Sequence, residues 1–142
     1  MDVSSVSGVR AAPYDRTPVT GALAYVNAST APAGWGEVIA VTVPVNRKML
    51  IASMSLQVLR QSAAAPMGMA SLDVLITPSG LAQVRVLHCP LFDNAVNASN
   101  EIQLLPDFVL GAGDELHIYK VDASSGGTLL FAASIPYVLF DA

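Results

Sequence analysis

From Trp35 onward apolar and polar residues alternate with a period of two, in runs separated by Gly, Pro, Asn and Ser. That is the pattern of strands with one buried face. In 37–43, Ile39, Val41 and Val43 share a face, and Pro44, Val45 and Asn46 predict a turn. The run 47–60 carries the strongest strand signal: Leu50, Ala52, Met54, Leu56 and Val58 lie on one side and Ser53, Ser55 and Gln57 on the other. One unbroken, half-buried strand is predicted there, and the polar residues do not fall on one helical stripe. Leu72, Val74 and Ile76 predict a strand over 69–77, closed by Pro78, Ser79 and Gly80.

The second half continues in the same way. Residues 83–89 alternate until Pro90 stops their ladder, Ile102 and Leu104 are expected in the core, and a corner at 107–113 leads to Leu116 and Ile118 facing inward. After a hairpin turn at 124–127, the run 128–140 directs Leu129, Phe131, Ala133, Ile135, Tyr137 and Leu139 one way. It leaves Leu130, Val138 and Phe140 on the other side, so both faces are apolar. Seven or eight strands at this spacing predict an all-β, antiparallel sandwich or barrel over 35–142. Residues 1–34, with Pro13, Pro18 and Pro32 and no sustained periodicity, read as an extended N-terminal arm, within which Val19–Val26 is apolar enough to lie as a strand on another surface.

Composition changes this picture in one respect. The 142 residues suffice for one domain, yet 53% are hydrophobic and 13% charged, about half the usual quarter, with a mean hydropathy of +0.52. Seven basic and eleven acidic side chains must keep roughly 7,000 Å² wetted. Surplus apolar surface is therefore expected to be covered by other subunits. No run approaches the ~18 apolar residues of a membrane span, and the first ten residues have no signal-peptide pattern, so neither is expected. A net charge of −4 with scattered Lys and Arg argues against nucleic acid as a partner.

The chemical inventory is small. His88 and Cys89 are adjacent, which on a strand sends them to opposite faces, so Cys89 is expected to be a small half-buried hydrophobe. His117, beside Glu115 and Tyr119 on the face opposite Leu116 and Ile118, is expected to be exposed, and Asp114 and Glu115 read as a solvated turn after Gly111-Ala112-Gly113. Neither that glycine pair nor Gly34-Trp35-Gly36 has the spacing of a nucleotide loop. Asn27 and Asn97 head N-x-S triplets that read as chance matches. No catalytic, cofactor-binding or metal-binding residues are expected, no cofactor is expected, and the chain is not expected to be an enzyme.

The segments VTVPVNRKMLIASMSLQVL, ASLDVLIT and EIQLLPDFVLGAGDELHIYKVD, within about residues 37–121, resemble the small jelly-roll or immunoglobulin-sandwich virion proteins of tailed bacteriophages. The matched features are a strand ending in Val43-Pro44, a basic turn into Leu50-Ile51-Ala52-Ser53-Met54-Ser55-Leu56, and Val109-Leu110 followed by Gly113-Asp114-Glu115-Leu116-His117-Ile118. The resemblance implies a jelly-roll-like sandwich that decorates and stabilises a capsid surface as a symmetric homo-oligomer, often a trimer, with the major capsid protein as its partner. On that reading Val19, Leu23 and Tyr25 of the arm, Trp35 at its junction, and Leu130, Val138 and Phe140 of the last strand are expected at oligomer or capsid interfaces. The alternative is a receptor- or glycan-binding head-spike, tail or fibre module, with Trp35 and Tyr119 clustered beside polar loops.

Overall fold

The computed structural model describes residues 18–30, 34–62, 69–92, 95–122 and 127–141; the side chains at 27–30, 35 and 108 lie outside the described set. Ten strands follow one another: β1 (Val19–Thr30), β2 (Gly34–Thr42), β3 (Arg47–Ile51), β4 (Met54–Arg60), β5 (Ala70–Thr77), β6 (Val84–Leu91), β7 (Ser99–Leu104), β8 (Phe108–Leu110), β9 (Glu115–Asp122) and β10 (Thr128–Asp141). All pairings are antiparallel. Because β3 and β4 share one lane, as do β7 and β8, the ten strands fill eight lanes. One sheet runs β1, β10, β3/β4, β8/β7 and the other β2, β9, β5, β6. Numbered along the chain, the lanes are ordered 1-8-3-6 and 2-7-4-5, which is the jelly roll. The expected all-β sandwich is therefore the observed fold.

Local chemistry places the turns. Asn46 holds φ at 62° and closes a turn in which Arg47 N–H donates to Pro44 C=O at 3.2 Å. At the same end of the sandwich, where Val43 N–H donates to Asp114 C=O at 2.9 Å, the amides of Ser79 and Gly111 donate to the two carboxylate oxygens of Asp114 at 2.8 Å each. Gly113 sits at φ 85°, where a Cβ would also come within 3.1 Å of the Ser79 hydroxyl. The Gly-Asp-Glu corner is thus a tie between two turns.

Two expectations about the strands are corrected. First, 47–60 is not one strand: the ladder stops at Ala52 and Ser53, and the alternation changes phase there, so Met49 and Ile51 face inward before the break and Met54, Leu56 and Val58 after it. Leu50 and Ala52, expected inside, lie on the outer face. The neighbouring lane breaks at the same level, at Leu105, Pro106 and Asp107, with Asp107 at φ 48°. Leu104, expected in the core, is exposed. On the other side β10 passes unbroken, and Pro136, which has no N–H, falls in the gap between its pairing with β4 (Ser134 with Ser55) and with β3 (Tyr137 with Ile51).

Second, the sandwich begins earlier than residue 35. Residues 19–30 form β1, paired without a break along β10 from Val19 opposite Leu139 to Thr30 opposite Thr128, and Leu23 is buried against Ile135. A twelve-residue apolar strand on the last strand of the chain satisfies its hydrogen bonds and buries Leu23 better than a detached arm could. Residues 1–17 of the expected arm lie outside the described residues.

The core fills the space between the sheets with Met49, Ile51, Met54, Leu56, Val58, Leu129, Phe131 and Ile135 from one and Leu72, Val74, Leu116 and Ile118 from the other, all fully buried. Cross-sheet contacts add to it. The Cys89 thiol of β6 reaches the carbonyl of Asn100 on β7 at 3.4 Å, Asn100 Nδ2 donates to Pro90 C=O at 2.7 Å, and Lys120 Nζ of β9 lies 5.7 Å from the Phe131 ring centroid.

Candidate functional site: the two outer faces

Every strand has an outward side, and the two sheets use theirs differently. On the β2–β9–β5–β6 sheet, the pairing of Asp73 with His88 and with Tyr119 places β5, β6 and β9 side chains in one row. Asp73, almost fully buried, accepts from His88 Nδ1 at 2.6 Å and lies 3.5 Å from Arg85 Nη1. One lane away, His117 meets a carboxylate at each ring nitrogen: Nδ1 lies 2.7 Å from Glu37 Oε1 on β2, and Nε2 lies 2.9 Å from Glu115 Oε1 on its own strand. Thr77 Oγ1 is 3.3 Å from the same Nε2 and accepts from Gln83 Nε2 at 3.2 Å. Only a doubly protonated ring donates to both carboxylates at once. Tyr119 stands tilted beside it, ring centroids 6.1 Å apart.

His117 was expected to be an exposed strand residue. Its side chain is instead 11% exposed, because Glu37 and Glu115 close over it from two strands. Sequence spacing brought Glu115 to its face; Glu37, eighty residues away, is placed there by the β2–β9 register. Both histidines are thereby engaged with carboxylates on different faces from the Cys89 thiol, which lies inside the sandwich and whose pKa burial pushes up to about 11. The His88–Cys89 neighbours form no thiol-base pair. Among the described residues no group of three His, Cys, Asp or Glu is arranged to hold a metal ion.

The outer face of the β1–β10–β3/β4 sheet is built mostly from small, apolar and uncharged polar residues. Read across the ladders, its rows are Thr20, Val138, Leu50 and Val109; then Ala22, Pro136 and Ala52; then Ala24, Ser134, Ser55 and Gln103. Val26, Ala132, Gln57 and Glu101 follow, and Phe140 stands opposite Lys48 at one margin. Lys48 and Glu101 are the charged positions of these rows, both toward the edges. Two shallow hollows of about 180 Å³ each open on this face. One is lined by Thr20, Gly21, Leu50, Ala52, Pro136, Tyr137 and Val138, the other by Val26, Ser55, Gln57, Glu101, Ala132, Ala133 and Ser134. On the inner side of the same strands Gly21 stands opposite Tyr137, and a Cβ there would come within 2.6 Å of the tyrosine ring.

The expected interface residues divide on this geometry. Leu130, Val138 and Phe140 lie half-buried on the outer face, whereas Val19, opposite Leu139, is on the inward-facing row and is exposed at the end of β1. Leu23 does not belong with them: at 3% exposure it is a core residue. Tyr25, directed inward and packed on the core, has its hydroxyl pKa raised by burial. Trp35 stands opposite Val121 in the ladder, and its side chain lies outside the described residues. Leu50, Ala52 and Val109 are face residues that the sequence reading missed; Leu50 and Ala52 were hidden by the phase change, and no signal in the sequence marks it.

No family model matches the sequence, and no curated protein matches it. Among solved structures, the fold is similar to a chain of the infectious bursal disease virus Gx strain, at 12% identity and a TM-score of 0.43, over 87% of this chain and 32% of that one. It is likewise similar to the VP2 subviral particle of the same virus, at 10% identity and a TM-score of 0.45, over 85% of this chain and 32% of that one. The Eiger TNF from S. frugiperda is similar at 11% identity and a TM-score of 0.39, over 89% of this chain and 94% of that one. This chain spans about a third of the length of the two viral chains. A likeness at this level is one of strand arrangement and does not transfer a function.

Proposed function

We propose that this chain is a structural virion protein that decorates and stabilises a phage capsid as a symmetric homo-oligomer, docking on the shell through the outer face of the β1–β10–β3/β4 sheet. The observation that carries the reading is that face: rows of small, apolar and uncharged polar side chains with charge only toward the edges, on a chain whose other outer face carries charged side chains paired within the chain. An apolar face of this kind, rimmed by polar residues, marks an interaction surface. The resemblance of the Val43-Pro44 turn and the Gly113-Asp114 corner to phage virion proteins supports the choice of partner. Repetition over a symmetric shell lets shallow contacts add up to stable attachment without a deep site.

The experiment is labelling of the particles produced by the genome that encodes the chain. Gold-tagged antibody in a regular array over the shell is expected. Label confined to a tail or fibre, or its absence from purified particles, overturns the reading, and binding on a glycan array with label on the fibres would establish a receptor-binding module instead.

A further inference from the structure

Each sheet of an open sandwich leaves two edges whose backbone groups can pair with another chain, and folded proteins blunt such edges with charge, proline, bulges or short strands. Three of the four edges here carry these devices. The β2 edge shifts register between Glu37 and Ile39 and presents Glu37. The β6 edge contains Pro90 and Arg85, and its ladder shifts opposite Val74 and Leu75. The β7/β8 edge is split into six and three residues around Pro106 and carries Glu101.

The β1 edge carries none of them. It is twelve residues long, VTGALAYVNAST, with no charged residue and no proline, in unbroken register with β10, and among the described residues β10 is its one strand partner. Its outward residues Thr20, Ala22, Ala24 and Val26 are exposed, Val26 at 72%.

We infer that β1 pairs edge to edge with β1 of a second copy of this chain, antiparallel, about a two-fold axis normal to the sheet. The occupant follows from the strand itself. Such an axis keeps outer residues opposite outer residues, which requires paired numbers to have an even sum. Centring on Ala24 sets Ala22 against Val26 and Leu23 against Tyr25, with small residues where the backbones approach and no like charges facing each other. The pairing would join the outer faces of two copies into one continuous apolar surface of doubled width. The inference rests on the homo-oligomer reading, and it replaces the threefold contact implied by the phage resemblance with a twofold one.

Sedimentation of the full chain tests it. A dimer, or an even multiple, is expected for the wild type. Ala24→Asp sets two carboxylates against each other at the axis and is expected to weaken association at least about a hundredfold with cooperative melting retained. An equimolar mixture with Ala24→Lys is expected to restore the dimer. A trimer indifferent to both substitutions overturns the β1 pairing and leaves the shell-docking reading standing. A wild-type monomer at high concentration overturns self-association altogether, whereas shell labelling tests docking independently. Should Ala24→Asp fail to fold, hydrogen exchange of the wild type decides: slow exchange of the alternate β1 amides that face away from β10 is expected, and exchange at the solvent rate overturns the pairing.

Discussion

The two outer faces of this sandwich stand on the same core and the same strand geometry, and they differ in what satisfies them. On the β2–β9–β5–β6 sheet, outward side chains find partners within the chain: Asp73 with His88 and Arg85, His117 with Glu37, Glu115 and Thr77. On the β1–β10–β3/β4 sheet the outward rows mix Ala, Val, Leu and Pro with Ser, Thr20, Gln57 and Gln103, and charge stands only at Lys48 and Glu101 toward the edges, so the apolar part gains from being covered. A closed polar network makes a face self-sufficient, and an apolar face of equal area leaves free energy to be gained by association.

The largest effect tests whether β1 belongs to the second face or to a detachable arm. Removing residues 1–30 takes away the β10 partner and uncovers Ile135, and it is expected to abolish the cooperative thermal transition. Removing 1–17 leaves every described pair in place and should preserve the transition. A cooperative fold after the longer deletion would restore the arm.

Next in size is the asymmetry of charge tolerance. Val138→Asp on the apolar face is expected to weaken shell binding at least about a hundredfold, since a charge buried on docking must be desolvated. Ala40→Asp on the polar face should leave binding unchanged, and equal losses in shell pull-down would erase the distinction. For stability the asymmetry reverses. Asp73→Ala strands His88 and Arg85 beside a buried position and is expected to cost about 1–3 kcal/mol in urea denaturation, whereas Ser134→Ala on the apolar face should cost less than about 0.5 kcal/mol.

The smallest effect concerns the core that the faces share. The folded-state pKa of Cys89 is raised to about 11 from an ordinary value of 9.0, because burial disfavours the thiolate. Its contribution to stability is therefore fully present below pH 9 and lost as pH rises through about 11. In Cys89→Ala the alkaline decline in melting temperature should be shallower than in the wild type. The native thiol should resist Ellman's reagent at pH 8, and rapid labelling there would show that the β6–β7 side opens.

The chain alone determined most of what depends on neighbours in sequence. Period-two alternation set the inward side of β5, β9 and β10, because a strand's side chains take turns by covalent geometry, and Asn46 and Gly113 marked their turns because they tolerate positive φ. The surplus of apolar over charged residues already called for covering partners, and the two-sided last strand already carried Leu130, Val138 and Phe140 to its outer side.

Tertiary structure decided the rest. Whether 19–30 is arm or strand depends on a partner more than a hundred residues away, and the phase change at Ala52 and Ser53 depends on a bend shared with the neighbouring lane at 105–107. The polar face was illegible for the same reason: Glu37 and His117, or Asp73 and His88, become neighbours only through strand register. Local sequence specifies which way a side chain points; the pairing of distant strands specifies what it meets.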